Sequence, residues 1–120
     1  MKSSPHRSQR VARELQKQVG LWLARDCGDD RFRSLAITRV RVSPDLGFAR
    51  FYFVVAESDP ANLEAVEDAL EAVRGRIRHE IGRQAKLRVV PEIRFEYDTE
   101  LESVRRVEQL LASLDPPPES

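Results

Sequence analysis

The sequence predicts an α+β fold: a single two-layer domain with helices on one face of a three-stranded sheet. Two observations carry the two-layer reading. The order of periodic segments is helix, strand, strand, helix, a second helix after a glycine break, strand, and then an added C-terminal helix. Each strand alternates so that only one of its faces is apolar, and such a sheet needs covering on that side alone.

The elements follow in order. Residues 1–8 are polar, with Pro5 and three serines, and are expected to form a flexible N-terminal tail. Residues 9–25 have a helical period, with Val11, Leu15, Val19, Trp22 and Leu23 on one face. Gly28, among Asp26, Asp29 and Asp30, ends that helix. Residues 36–43 alternate, with Thr38, Val40 and Val42 against Ile37, Arg39 and Arg41. Residues 47–56 alternate as well, with Ala49, Phe51, Phe53 and Val55 opposite Arg50 and Tyr52. Pro44 and Gly47 in the segment between them supply hairpin turn chemistry, with a positive φ expected at the glycine.

Asp59 and Pro60 form an N-cap and first-turn pair for the next helix, whose core stripe is Leu63, Val66, Leu70 and Val73. Gly75 is expected to break it, with Ile77 and Ile81 on a short second helix that ends near Gly82. Residues 86–97 read as the third strand, at an edge or locally irregular at Pro91, because Pro91 lacks an N–H. Thr99 and Glu102 resemble a capping box for a last helix with Leu101, Val104, Leu111 and Leu114 on one face. Three consecutive prolines make 115–120 a flexible C-terminal tail, so the domain is expected over 9–114.

The 120 residues carry 20 basic and 20 acidic side chains, a formal net charge of zero. The zero conceals blocks. Residues 1–50 hold eleven Lys/Arg against five Asp/Glu, and 51–73 hold none against six. Residues 74–94 hold seven against two, and 95–120 hold two against seven. Local field governs association, so a basic block can bind phosphate on a neutral chain. No apolar run is long enough for a membrane helix, so no membrane is expected as partner. The single Cys27 excludes an internal disulfide and suits a reducing, cytoplasmic location.

Catalytic chemistry finds little support. His6 lies in the expected tail, His79 stands between Arg78 and Glu80, and Cys27 precedes a glycine. These supply no nucleophile with a base and an orienting group, so no enzyme, catalytic residue or cofactor is expected. No set of Cys, His and carboxylates has metal-site spacing, and no metal is expected.

The candidates for RNA binding are Arg7, Arg10, Arg13 and Lys17 on the first helix, and Arg74, Arg76, Arg78, Arg83, Lys86 and Arg88 around the expected break. Exposed N–H groups at a second helix start, together with guanidinium groups, would attract phosphate. The outer sheet face would carry Arg39, Arg41, Arg50, Tyr52, Lys86, Arg88 and Arg94, with Tyr52 able to stack a base.

The order of elements resembles a type II KH domain, an RNA-binding fold that usually carries a GxxG loop between its consecutive helices. Gly75 and Gly82 are too far apart to make one. Three stretches in order are similar to the ribosome-binding factor A family, in which a helical kink replaces that loop. The most specific is the strand Leu87-Arg88-Val89-Val90-Pro91-Glu92-Ile93-Arg94-Phe95-Glu96-Tyr97-Asp98. The others are Arg10-Val11-Ala12-Arg13-Glu14-Leu15-Gln16-Lys17 and Val42-Ser43-Pro44-Asp45-Leu46-Gly47-Phe48-Ala49. The resemblance spans residue 7 to about residue 114. It assigns Val73, Arg74 and Gly75 to the structural kink, although the family pattern is Ala-x-Gly and Val73 is bulkier.

The resemblance implies a factor that associates with free 30S subunits as a monomer and assists late maturation of the small subunit. It also implies efficient 16S rRNA processing, contact near the 5′-terminal helix of that RNA, ribosomal proteins as further partners, and a role in cold adaptation. The alternative is a KH-like protein–protein adaptor without direct RNA contact.

Overall fold

The structure, a computed structural model, describes residues 5–56, 59–84, 87 and 89–114. The expected tail at 115–120, and the candidates Lys86 and Arg88, lie outside the described residues. Three helices and three strands follow one another as α1 (Pro5–Leu21), β1 (Ala36–Val42), β2 (Phe48–Val54), α2 (Pro60–Gln84), β3 (Glu92–Tyr97) and α3 (Thr99–Leu114). The sheet order is β1-β2-β3, with β1 antiparallel and β3 parallel to the central β2. The α+β sandwich expected from one-sided strands is therefore the fold, with β3 at an edge.

Alternation along β2 organises the core. Ala49, Phe51, Phe53 and, just beyond the strand, Val55 are buried, and they meet Leu15, Val19, Trp22 and Leu23 from the first helical segment. Phe51 packs on Phe95 with ring centroids 5.4 Å apart, and Phe53 meets Tyr97 edge-on at 5.7 Å. Such aromatic pairs contribute about 0.5–1.5 kcal/mol beyond the area they bury.

Helix α1 starts at Pro5, inside the segment read as a tail, and Ser8 is already buried. At its other end the regular helix stops at Leu21. One π turn, Trp22–Asp26, follows and closes with the Cys27 N–H donating to the Trp22 carbonyl at 2.9 Å. Gly28 then takes φ +76°, where a side chain would be strained.

Helix α2 runs unbroken from Pro60 to Gln84, so the break expected at Gly75 does not occur. The reason is the period. Val66, Leu70, Val73, Ile77 and Ile81 recur every three or four residues and are all buried, so packing holds both halves in one phase. Gly75 is exposed with open space around its Cα, and its own cost is only about 1 kcal/mol. Asp59 caps this helix as expected, accepting from the Asn62 N–H at 3.0 Å.

Three local features differ from the alternation reading. The register of β1 against β2 shifts between Ile37 and Arg39. This bulge at Thr38 brings Ile37 to the core together with Val40 and Val42, whereas simple alternation puts it on the other face. In the hairpin the positive φ falls on Leu46 (62°), not on Gly47. The Asp45 carboxylate accepts from the Gly47 N–H and the Ser43 hydroxyl, and a Cβ on Gly47 would come within 3.2 Å of it. Third, β3 starts only at Glu92. Val89 is exposed, while Pro91 is buried just before the strand.

The joint between β3 and α3 is built on Asp98. Its carboxylate accepts from the Leu101 N–H at 3.0 Å and from the Thr38 hydroxyl at 2.6 Å, and Arg39 lies 3.5 Å away. Asp98, not Thr99, is thus the N-cap, and Glu102 accepts the Tyr97 hydroxyl instead of closing a capping box. Beyond its first turn α3 makes no extended contact with the other elements. Val104 and Leu111 of its apolar stripe, with Val107 and Leu110, are 50–59% exposed.

Three outcomes are expected. Trp22 is 8% exposed beneath the Arg76 guanidinium, and Trp22→Ala should cost about 3–5 kcal/mol in urea unfolding. Gly75→Ala should stabilise the fold by about 0.5–1 kcal/mol, because the position is helical and open; a lower melting temperature would contradict the continuous helix. The third outcome concerns Asp98. Burial pushes its carboxyl up, but the Thr38 hydroxyl, backbone N–H groups and Arg39 outweigh that and hold it below its ordinary value of 3.8. Its contribution is therefore present above the unfolded pKa and lost as pH falls through the lower folded value. The stability gap between the wild type and Asp98→Asn should be largest near pH 7 and shrink as pH falls below about 4. A gap that grows with acidification would reverse this assignment.

Candidate nucleic-acid interface

The basic residues sort into three groups by what surrounds them. On α2, Arg74 is paired with Glu71 at 2.9 Å and Arg83 with Glu80 at 3.3 Å. Arg78 reaches across to the backbone before β3, donating to the carbonyls of Pro91 at 3.1 Å and Val90 at 3.2 Å. Arg76 lies over the Trp22 ring at 5.1 Å. This group is largely occupied in holding its own domain together. Because α2 is continuous, its middle also offers no second set of free helix-start N–H groups, and that part of the expected phosphate site is absent.

On α1 the situation is different. Arg10, Arg13 and Lys17 are exposed and follow one another at three- and four-residue steps, away from the buried Leu15, Val19 and Trp22. None of the three has a carboxylate within ion-pair distance among the described residues. Arg7 and Arg10 also rim a cleft of about 460 Å³ whose floor includes Val11, Leu15 and Leu87.

The outer face of the sheet forms the third group. Cross-strand partners place Arg41 opposite Arg50 and Arg50 opposite Arg94, so three arginines form one row across all three strands. All three are exposed. In the adjacent row Arg39, Tyr52 and Glu96 align, and here the charge is answered. Arg39 pairs with Glu100 at 3.0 Å and Asp98 at 3.5 Å, and its guanidinium covers the Tyr52 ring at 4.0 Å. Tyr52 is thus only 7% exposed and is not open for stacking. Phe48, which sequence reasoning passed over, is the more open ring on this face, with Arg50 5.6 Å from its centre. Its even spacing with Arg50 and Tyr52 was the available signal.

Among the described residues, His79 and Cys27 are not brought together with a partner for catalysis. His79 is exposed on α2. Burial pushes the Cys27 thiol up, more than nearby Arg76 draws it down, which leaves less thiolate for nucleophilic chemistry. Among the described residues no three His, Cys, Asp or Glu side chains gather to hold a metal ion. No helix among them is long and apolar enough to cross a membrane.

Known proteins resemble this chain over nearly its whole length. The family model described as Ribosome-binding factor A matches residues 7–111. A ribosome-binding factor A from Hydrogenovibrio crunogenus is 38% identical over 114 residues, covering 92% of this chain and 93% of that protein. One from Caldanaerobacter subterraneus is 34% identical over 116 residues, covering 96% and 94%. The crystal structure of ribosome-binding factor A from Thermus thermophilus superposes with a TM-score of 0.66 at 19% identity, covering 75% of this chain and 94% of that one. A homology model of the Thermus thermophilus factor, fitted into a cryo-EM map of a 30S complex, gives 0.62 at 19% identity, covering 74% and 92%. With a matching family model from the first helix into the last, and relatives above 30% identity of which it covers more than nine-tenths, the chain belongs to the ribosome-binding factor A family.

Proposed function

We propose that this protein binds the free 30S ribosomal subunit and assists its late maturation, acting by recognition and without catalysis. The observation that carries the reading is the family match over residues 7–111, joined to a Thermus relative described in a 30S complex. The charge arrangement supports it. Although the chain is formally neutral, Glu71 and Glu80 on α2 and Asp98 and Glu100 at the α3 joint pair with arginines, while Arg10, Arg13 and Lys17 have no ion pair among the described residues.

The partner is 16S rRNA, near its 5′-terminal helix, with ribosomal proteins as secondary contacts. Arg7, Arg10, Arg13 and Lys17 meet phosphates, with Lys86 and Arg88 added from the segment before β3. Arg76 joins from the side of Trp22, while Arg74, Arg78 and Arg83 contribute only by giving up contacts within the domain. Phosphate contacts of this kind read the shape of folded RNA and not a short sequence. A factor that binds one rRNA conformation more tightly than its competitors shifts the population towards it. That supports efficient 16S processing and a role in the cold, in the cytoplasm, by a monomer.

Sedimentation with purified free small subunits and with whole ribosomes tests this. The protein should travel with free subunits and less with whole ribosomes. Replacing Arg10, Arg13 and Lys17 by Glu should weaken binding and make its salt dependence shallower. Co-sedimentation that is insensitive to salt would favour the protein–protein adaptor reading, and none at all would remove the proposal.

A further inference from the structure

We propose that the open face of the sheet is a second RNA-binding surface. On it Arg41, Arg50 and Arg94 hold backbone phosphates and Phe48 stacks an unpaired base. The inference rests on the RNA-binding reading above but uses a different side of the domain: α1 and α2 cover the inner face of the sheet, and this row lies on the other.

The register is the first observation. Arg41, Arg50 and Arg94 are direct cross-strand partners, and like charges placed directly opposite each other destabilise a sheet. Across two strand spacings, about 10 Å, three guanidinium groups face water together. Among the described residues none has a carboxylate within 4 Å. The contrast with Arg39 is informative, since one row away two carboxylates answer that single arginine. Glu92 and Glu96 share the outer side of β3, yet neither pairs with the row, and Glu92 lies 4.0 Å from Arg78 instead. The repulsion built into the row is relieved by a polyanion that brings several negative groups at once.

The second observation selects RNA over an acidic protein segment. Phe48 lies on the same face, half-exposed, with the Arg50 guanidinium 5.6 Å from its ring centre. An aromatic ring beside a guanidinium plane offers stacking to a base of any identity, which a row of carboxylates would not use. The planar fork of arginine also suits phosphate oxygens in pairs. The surface therefore takes a single-stranded or looped stretch of RNA, held by its backbone and one stacked base.

The test uses the full chain with Arg41, Arg50 and Arg94 all replaced by Gln. Removing opposed like charges should leave the melting temperature unchanged or raise it. Affinity for purified free small subunits should fall about tenfold or more near 0.1 M salt, and the slope of log affinity against log salt should become shallower by about 2–3. Phe48→Leu, which keeps the apolar packing, should weaken binding several-fold with the salt slope unchanged. Unaltered affinity and slope in the triple variant, with the wild type still binding, would overturn the second surface and leave the 30S reading standing. A wild type that fails to bind subunits would remove that reading itself. If the triple variant loses binding to subunits but not to protein-free 16S rRNA, the face meets a ribosomal protein and the RNA assignment is wrong. A clear drop in melting temperature would make the row structural and overturn the premise.

Discussion

The central strand β2 is paired on both sides, and its alternation constrains everything around it. One set of its side chains, Ala49, Phe51 and Phe53, is fully buried under the helices. The other set, Phe48, Arg50 and Tyr52, points to a face that no helix covers. Once α1 and α2 fill the inner side, no apolar sheet surface remains for a third helix. α3 therefore leaves the end of β3 and is held mainly through Asp98 and the groups around it. The same constraint explains the radius of gyration, 16.9 Å, against about 13 Å for a compact domain of 100 residues.

Charge is sorted by the same geometry. Carboxylates on α2 sit one turn from its arginines, so Glu71 and Glu80 neutralise Arg74 and Arg83 locally. Asp98 and Glu100 gather on Arg39 because the β3–α3 joint brings them there. Among the described residues, a stripe on α1 and a row across the sheet are cations that this sorting leaves without a carboxylate. Zero net charge is thus the sum of locally closed pairs, open cations on these two surfaces, and carboxylates such as Glu64, Glu67 and Glu108 that have no ion pair among the described residues. The open cations set the local field that a polyanion meets there.

Much of this was legible in the sequence where one rule governed the outcome. Strand β2 has one period, α2 has a strong cap in Asp59, and Trp22 shares a stripe with residues that must be buried. The structure departs from the sequence pattern where side-chain contacts or packing, and not the local period, decide. Alternation put Ile37 on the outer face; the bulge that moves it inward serves Thr38, whose hydroxyl reaches Asp98 sixty residues away. Gly75 resembled a break because glycine is a poor helix former, yet the packing of Ile77 and Ile81 outweighs about 1 kcal/mol. Leu46 took the positive φ expected of Gly47 because Gly47 leaves room for the Asp45 carboxylate. The arginine row was the least legible of all. Alternation puts its members on one face together with Arg39, but only the strand register aligns three of them directly opposite one another.

A continuous α2 bears on how such a domain would act on RNA. A helix broken at Gly75 would let its two halves adjust to a ligand. One buried stripe from Val66 to Ile81 fixes both halves to the same sheet, as does the bond from Arg78 to the backbone before β3. Cations on α1 and on the open sheet face are then carried by one packed core at a set separation. A rigid body of this kind gains most from an RNA whose phosphates already match that separation, because matching costs neither partner a rearrangement. RNA folds that misplace one segment reach one surface but not both, and they lose the advantage of simultaneous engagement. On the proposal that both surfaces meet rRNA, discrimination between its conformations would follow from the geometry of the fold.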